Sequence, residues 1–204
     1  MQDLKASELV TSEAELGALY GLPPERALTK EIDHINTPYR AFIERSPFVI
    51  VASAGPEGLD CSPRGDPAGV VRVADGRTLL LPDRRGNNRL DTLRNIVRDG
   101  RISLLFLIPG IGESMRVNGR AAISIDKDLR QVLELEGKVP TSVIVVHVQR
   151  AYFQCQKALA RSRLWEDSTQ ASRDEVPTAG TMLNAIDADF DGANYPRHLQ
   201  QTIY

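Results

Sequence analysis

Hydrophobic and polar positions alternate with two different periods along this chain, and the change falls near residue 48. Ser12-Glu13-Ala14-Glu15 forms a capping box ahead of Leu16, Leu19 and Tyr20, which predicts a short helix that Gly21-Leu22-Pro23-Pro24 ends. Ile32, Ile35, Tyr39, Phe42 and Ile43 then fall on one face at helical spacing, with Pro38 expected to kink or interrupt that helix. A single apolar stripe needs another surface, so this region reads as a helical cover over a sheet.

Beyond it the period shortens. Phe48-Val49-Ile50-Val51-Ala52 is strand-like and leads into the turn Ala54-Gly55-Pro56-Glu57-Gly58. Residues 70–73 and 78–81 repeat the arrangement around an Asp75-Gly76 turn. A helix is predicted over 90–97 and an apolar strand over 102–108. A one-sided strand follows over 115–125, then a helix over 126–136, a strand over 143–148 and a helix around 153–160. Six or so hairpin-joined strands with few crossover helices favour a small closed or partly closed antiparallel barrel, mainly β with peripheral helices. Residues 1–45 form the helical extension, 46–165 the barrel and 166–204 an acidic tail that wraps the surface or is loosely ordered.

Composition narrows the function. The net charge of -2 on 204 residues argues against a general nucleic-acid binder. The N-terminal segment lacks a charged region followed by an apolar one, and no long apolar run could span a bilayer, so the chain reads as soluble and cytoplasmic, without membrane partners. Cys61 and Cys155 are expected as reduced thiols, and Cys155 would be a small core residue if 153–165 packs as a terminal helix. His34, His147 and His198 are not at metal-ligand spacing from either cysteine, and no metal site is expected. Locally, residues 83–101 hold six arginines against three aspartates, whereas 165–191 holds seven acids against one base.

The start of that basic stretch falls in the second of two segments rich in glycine and proline, both read as loops. The first is Cys61-Ser62-Pro63-Arg64-Gly65-Asp66, and the second is Pro82-Asp83-Arg84-Arg85-Gly86-Asn87-Asn88-Arg89. Arg64 and Arg89 offer planar charged donors to a phosphate, with Ser62, Asn87 and Asn88 adding neutral ones and Gly65 and Gly86 letting the backbone approach. Asn87 or Asn88 could also cap the following helix, whose free amides are themselves an anion site. The plainer alternative is that these arginines are solvated or pair with Asp66, Asp83 and Asp91. Gly110-Ile111-Gly112 lacks the rest of a dinucleotide fingerprint, no Walker lysine loop occurs, and Ser62 has no nucleophile elbow. The segment 153–165, with the only tryptophan, either reaches a ligand or another subunit or packs as a terminal helix.

Ser62-Pro63-Arg64-Gly65-Asp66, Leu80-Leu81-Pro82-Asp83-Arg84 with Gly86-Asn87-Asn88-Arg89-Leu90, and Arg116-Val117-Asn118-Gly119-Arg120-Ala121 together resemble the pyridoxamine 5'-phosphate oxidase-like, FMN-binding split-barrel superfamily. More narrowly, the chain resembles a bacterial branch of FMN-dependent enzymes without an assigned substrate, over about residues 16–165. The resemblance implies a six-stranded antiparallel split β-barrel, a homodimer and FMN at the subunit interface. Arg64 and Arg89 would hold the flavin phosphate. Ser62, Pro63 and Gly65 would line the flavin on one strand and Leu80, Leu81 and Pro82 on the next. Asn87 and Asn88 would sit by the phosphate, Ser114 by the ring, and Arg161 and Trp165 would reach in from the partner subunit.

The arginine and histidine signature that grips pyridoxamine phosphate in the oxidases is met only by Arg197-His198 at an unlike spacing, so vitamin B6 oxidation is not the expected activity. No catalytic acid, base or nucleophile is demanded. The expectation is an FMN-dependent oxidoreductase transferring hydride through the flavin, fed by a nicotinamide or another small reductant. The alternatives are a non-catalytic flavin-binding or sensing protein, and a relative using a deazaflavin or haem.

Overall fold

The computed structural model of the chain describes residues 5, 8–67, 69–192 and 195. Two compact units are distinguished, residues 1–31 and 32–204. The first contains α1 (Glu13–Tyr20), opened by the predicted capping box of Ser12 and Glu15, and α2 (Glu25–Thr29).

The second unit is built on seven antiparallel strands: β1 (Phe48–Gly55), β2 (Gly58–Gly65), β3 (Arg72–Val73), β4 (Thr78–Asp83), β5 (Arg101–Leu107), β6 (Ser114–Ser124) and β7 (Ser142–Gln154). They form one sheet in the order β2-β1-β5-β6-β7-β4-β3. This is one strand more than expected, because residues 58–65 form β2, while the predicted 70–73 strand is reduced to the two-residue β3. The first predicted loop is thus a strand. Residues 58–65 pair with β1 along their whole length, and Pro63 is tolerated because β2 is an edge strand with one neighbour.

Strand spacing shows how the sheet is shaped. In a flat sheet β2 and β4, five steps apart, would lie about 24 Å from each other. Yet Arg84, just past β4, donates from Nε to Asp66, just past β2, at 2.8 Å. The sheet therefore curls until its two ends meet through this ion pair, with no ladder between β2 and β4 among the described residues. Val49, Val51, Leu79, Leu81, Leu104, Phe106, Val117, Val146 and Val148, all 0% exposed, fill the inside.

Among the described residues the sheet is accompanied by α3 (Thr37–Arg45), α4 (Asp91–Arg98), α5 (Lys127–Val132) and α6 (Lys157–Ser162), and α7 (Ala179–Asn184) lies in the acidic tail. Pro38 does not kink a helix. It sits in the first turn of α3, where its missing N–H costs nothing, and the Asn36 side chain caps that turn by accepting from Tyr39 N at 2.9 Å. Ile32 and Ile35 thus precede the helix, and Ile32 instead bridges to Ala151. Tyr39 and Ile43 reach the core from α3, and Ile96 does so from α4. α5 is shorter than predicted, and 153–154 belong to β7, so α6 begins only at Lys157.

Two glycines are fixed by close approach. A Cβ on Gly119 would fall 2.0 Å from His147 O, at the register shift between β6 and β7. A Cβ on Gly55 would meet Asn95 Oδ1 at 2.1 Å, where α4 lies against β1 and Asn95 Nδ2 donates to the buried Ser53 at 3.2 Å.

Candidate functional site

Direct partners across an antiparallel ladder share a face, so β2 can be read from β1. Asp60, Ser62 and Arg64 lie opposite Ser53, Val51 and Val49, which are buried, and all three are half-buried. Cys61, Pro63 and Gly65 alternate with them and are exposed. Ser62 Oγ is 3.0 Å from Asp60 Oδ2, and Thr92 Oγ1, on the first turn of α4, donates to the same oxygen at 2.5 Å. Asp60 and Thr92, neither singled out in the sequence, therefore weld β2 to α4 and orient the Ser62 hydroxyl.

The second loop, 84–90, leads into the same helix. Asn88 and Leu90 adopt left-handed backbone conformations, with φ of 58° and 62°. Such strain in non-glycine residues is held by its surroundings and gathers at functional sites. No side chain caps α4; Asn87 Oδ1 accepts instead from Arg89 N at 3.1 Å. The expected capping by Asn87 or Asn88 is thus not made, because the left-handed Leu90 occupies the cap position. The first-turn amides keep their hydrogen-bonding capacity. Arg89 pairs with Asp91 while its side chain stays 78% exposed. The Asp91 carboxylate raises the Arg89 pKa, with a smaller contribution from Asp60. Arg89, Arg94, Arg98 and Asp60 border a shallow groove of about 260 Å³.

Arg64 donates to Pro63 O at 3.0 Å, and its charge acts on Asp83 at the end of β4. Burial pushes the Asp83 carboxyl above its ordinary value, and Arg64 only partly offsets that. Next to it, Asp66 and Arg84 are 6% and 21% exposed, and Asp66 Oδ1 and Arg84 Nη1 are buried without a partner among the described residues. Pro82, Arg84, Asp66 and Arg72 line an adjoining pocket of about 320 Å³. The pairing alternative is therefore realised for Arg89, which keeps its exposure, and for Arg84.

The remaining residues named from the sequence lie elsewhere. Leu80 is 5% exposed in a small cluster with Leu133 and Val143, and Leu81 is 0% exposed in the main core. Ser114, 8% exposed, opens β6 opposite Gln154, whereas Asp83 pairs with Ser142 at the other end of β7. Arg161 is exposed on α6, and Trp165 Nε1 donates to Ile111 O at 2.9 Å, tying it to the β5–β6 turn. Both cysteines are free and exposed; Cys155 follows β7 at the surface and is not a core residue. Arg197 and His198 lie outside the described residues. No group of three metal-ligating side chains occurs among the described residues, and no helix among them is long and apolar enough to cross a membrane.

The site thus defines a class: a mainly antiparallel β-protein whose curled sheet brings an arginine-bearing edge strand beside the uncapped end of a helix. Residues 35–155, more than half of the sequence, match the pyridoxamine 5'-phosphate oxidase family model, and the chain belongs to that family. No curated protein matches the chain in sequence. Among solved structures it is similar to HupZ from Group A Streptococcus, at 20% identity and a TM-score of 0.48 over 57% of this chain and 91% of that one. It is also similar to General Stress Protein 26 from Bacillus anthracis, at 14% identity and 0.42 over 55% and 88%. An FMN-binding protein from Syntrophomonas wolfei matches at 13% identity and 0.44 over 56% and 82%. The family assignment rests on the match across 35–155.

Proposed function

We propose that the chain is an FMN-dependent oxidoreductase of this family, acting as a homodimer on a small molecule. The observation that carries the reading is the uncapped N-terminus of α4 set beside Ser62, with Arg64 further along the same face of β2 and the exposed Arg89 on the strained loop before the helix. The donor set suits a phosphate monoester: first-turn amides, a hydroxyl and two guanidinium groups. Bound there, FMN supplies hydride transfer.

In this reading Arg64 and Arg89 neutralise the phosphate, the Ser62 hydroxyl turns from Asp60 to donate to it, and Asn87 and Asn88 close the loop over it. Gly65 leaves room for the ligand along β2. Leu80 and Leu81 serve through main chain and packing, since their side chains are buried, and Pro82 borders the cavity beside them. Ser114, Arg161 and Trp165 act on the ring from the second subunit. The dimer reading draws on the outer face of the sheet, where Phe48, Ile50, Leu105 and Leu107 are half-buried and form an apolar patch in register with exposed Pro63.

Titration of the purified protein with FMN tests the phosphate ligands. Arg64→Ala and Arg89→Ala should each weaken FMN binding by about 2 kcal/mol, roughly thirtyfold, and leave riboflavin binding little changed. Equal losses for FMN and riboflavin, or none for either, would remove both arginines from a phosphate site.

A further inference from the structure

The cavity of about 320 Å³ beside the Asp66–Arg84 pair has the size of an ordinary small-molecule site and takes no part in holding the phosphate. Its charged lining consists of Glu44, Asp66, Arg72, Arg84 and Glu134. Asp66 and Arg84 neutralise each other at 2.8 Å, and Arg40 Nη1 neutralises Glu44 at 3.1 Å. Arg72 and Glu134 are left over. Among the described residues, Arg72 of β3 donates only to main chain, from Nη1 to Val132 O at 3.4 Å, and the Glu134 side chain accepts only from the neutral Gln131 amide. The two border one cavity without pairing with each other. Much of the remaining wall is apolar, with Val71 0% and Leu133 8% exposed and Pro67 and Leu135 beside them. That wall is also held in place. Arg130 Nε donates to Pro140 O at 2.8 Å, and Leu135 and Lys138 exchange backbone hydrogen bonds at 3.1 and 2.9 Å around the left-handed Glu136 and Gly137.

We propose that this cavity is a second ligand site and takes a small zwitterion, an α-amino acid with an apolar side chain. A ligand with one charge would meet one of the two leftover groups and leave the other unanswered. An α-amino acid carries both signs on one carbon, which suits two groups too far apart to pair and close enough to share a cavity of this size. Its carboxylate accepts from the planar Arg72 guanidinium, and its ammonium donates to Glu134. Its side chain lies against Val71 and Leu133, where the area removed from water adds affinity. The fixed wall keeps the ordering cost of binding low. This site stands whether or not Arg64 and Arg89 hold a phosphate.

The test is calorimetric titration of the purified full chain with L-leucine, L-methionine and L-phenylalanine. Isocaproate and isoamylamine, which are leucine without its ammonium and without its carboxylate, serve as comparisons. Saturable binding of at least one amino acid is expected, and Arg72→Gln and Glu134→Gln should each weaken it about tenfold or more. Both side chains are exposed, so the variants fold as the wild-type chain does, which thermal melts check. Each half-molecule should bind at least about tenfold more weakly than leucine. Glu134→Gln should leave isocaproate binding unchanged, because that ligand has no ammonium to lose. Absence of saturable binding for all three amino acids at millimolar concentrations would overturn the proposal. So would binding that neither variant weakens, or equal affinity for leucine and either half-molecule. FMN is not a readout in any of these titrations, so their failure leaves the flavin reading untouched.

Discussion

The Asp66–Arg84 pair makes a strong claim about what holds this fold in its curled form, and Arg84→Met tests it. Methionine keeps the apolar stem of Arg84 and removes the guanidinium, leaving the Asp66 carboxylate 6% exposed and without its partner at 2.8 Å. Breaking a buried pair from one side costs about 3–5 kcal/mol, and the lower end applies because Arg84 is itself 21% exposed. About 3 kcal/mol on a chain of 204 residues corresponds to a fall in Tm of about 6–12 °C. Urea and thermal unfolding followed by circular dichroism measure it. The double variant Asp66→Asn with Arg84→Met should recover part of the loss, since it removes the buried charge that the single variant leaves unpaired. An Arg84→Met protein within about 0.5 kcal/mol of wild type, the range of ordinary surface changes, would refute the reasoning. So would a double variant no more stable than the single one.

Gly119→Ala should destabilise by about 1–3 kcal/mol in urea titrations, because its Cβ would meet the His147 carbonyl at 2.0 Å and the strands must part. Gly86→Ala serves as its neutral control, with nothing within 4 Å of the added carbon. Asp83→Asn should be more stable than wild type at neutral pH. The folded chain holds the Asp83 proton more tightly than the unfolded chain, so this residue's contribution is fully present below the unfolded value near 3.8 and is lost as pH rises through the folded one. Thermal melts of both proteins at pH 3.5 and pH 7 should therefore nearly coincide at the first and separate at the second.

Strands whose apolar runs are continuous were legible in the sequence, as at 48–52, 78–81 and 102–108, since each buries one or both faces. Residues 58–65 were not, because Ser-Pro-Arg-Gly carries the residues of a loop; only its place at the sheet edge makes Pro63 acceptable there. The second half of β7 was hidden by the consecutive exposed residues Gln149 and Arg150, which break both the apolar run and the alternation at the register shift opposite Asn118 and Gly119. Pro38 illustrates the opposite error: its effect depends on whether a helix has already begun. At the site, the arginines and the helix start could be read from composition, but their partners could not. Asp66 meets Arg84 and Asp60 meets Thr92 only because the sheet curls and α4 folds back on β2, across 18 and 32 residues of chain. A sequence pattern shows which charges a loop offers and not which of them the fold has already paired.

The measurement that bears most directly on the central claim is the visible spectrum of the purified protein, together with the mass of any cofactor released by heat. The account predicts flavin absorption from a yellow protein that is bleached when a nicotinamide or other small reductant is supplied, and release of FMN on heating. A colourless protein that takes up no added FMN would contradict it, leaving a family fold whose arginine-lined seam serves a different ligand.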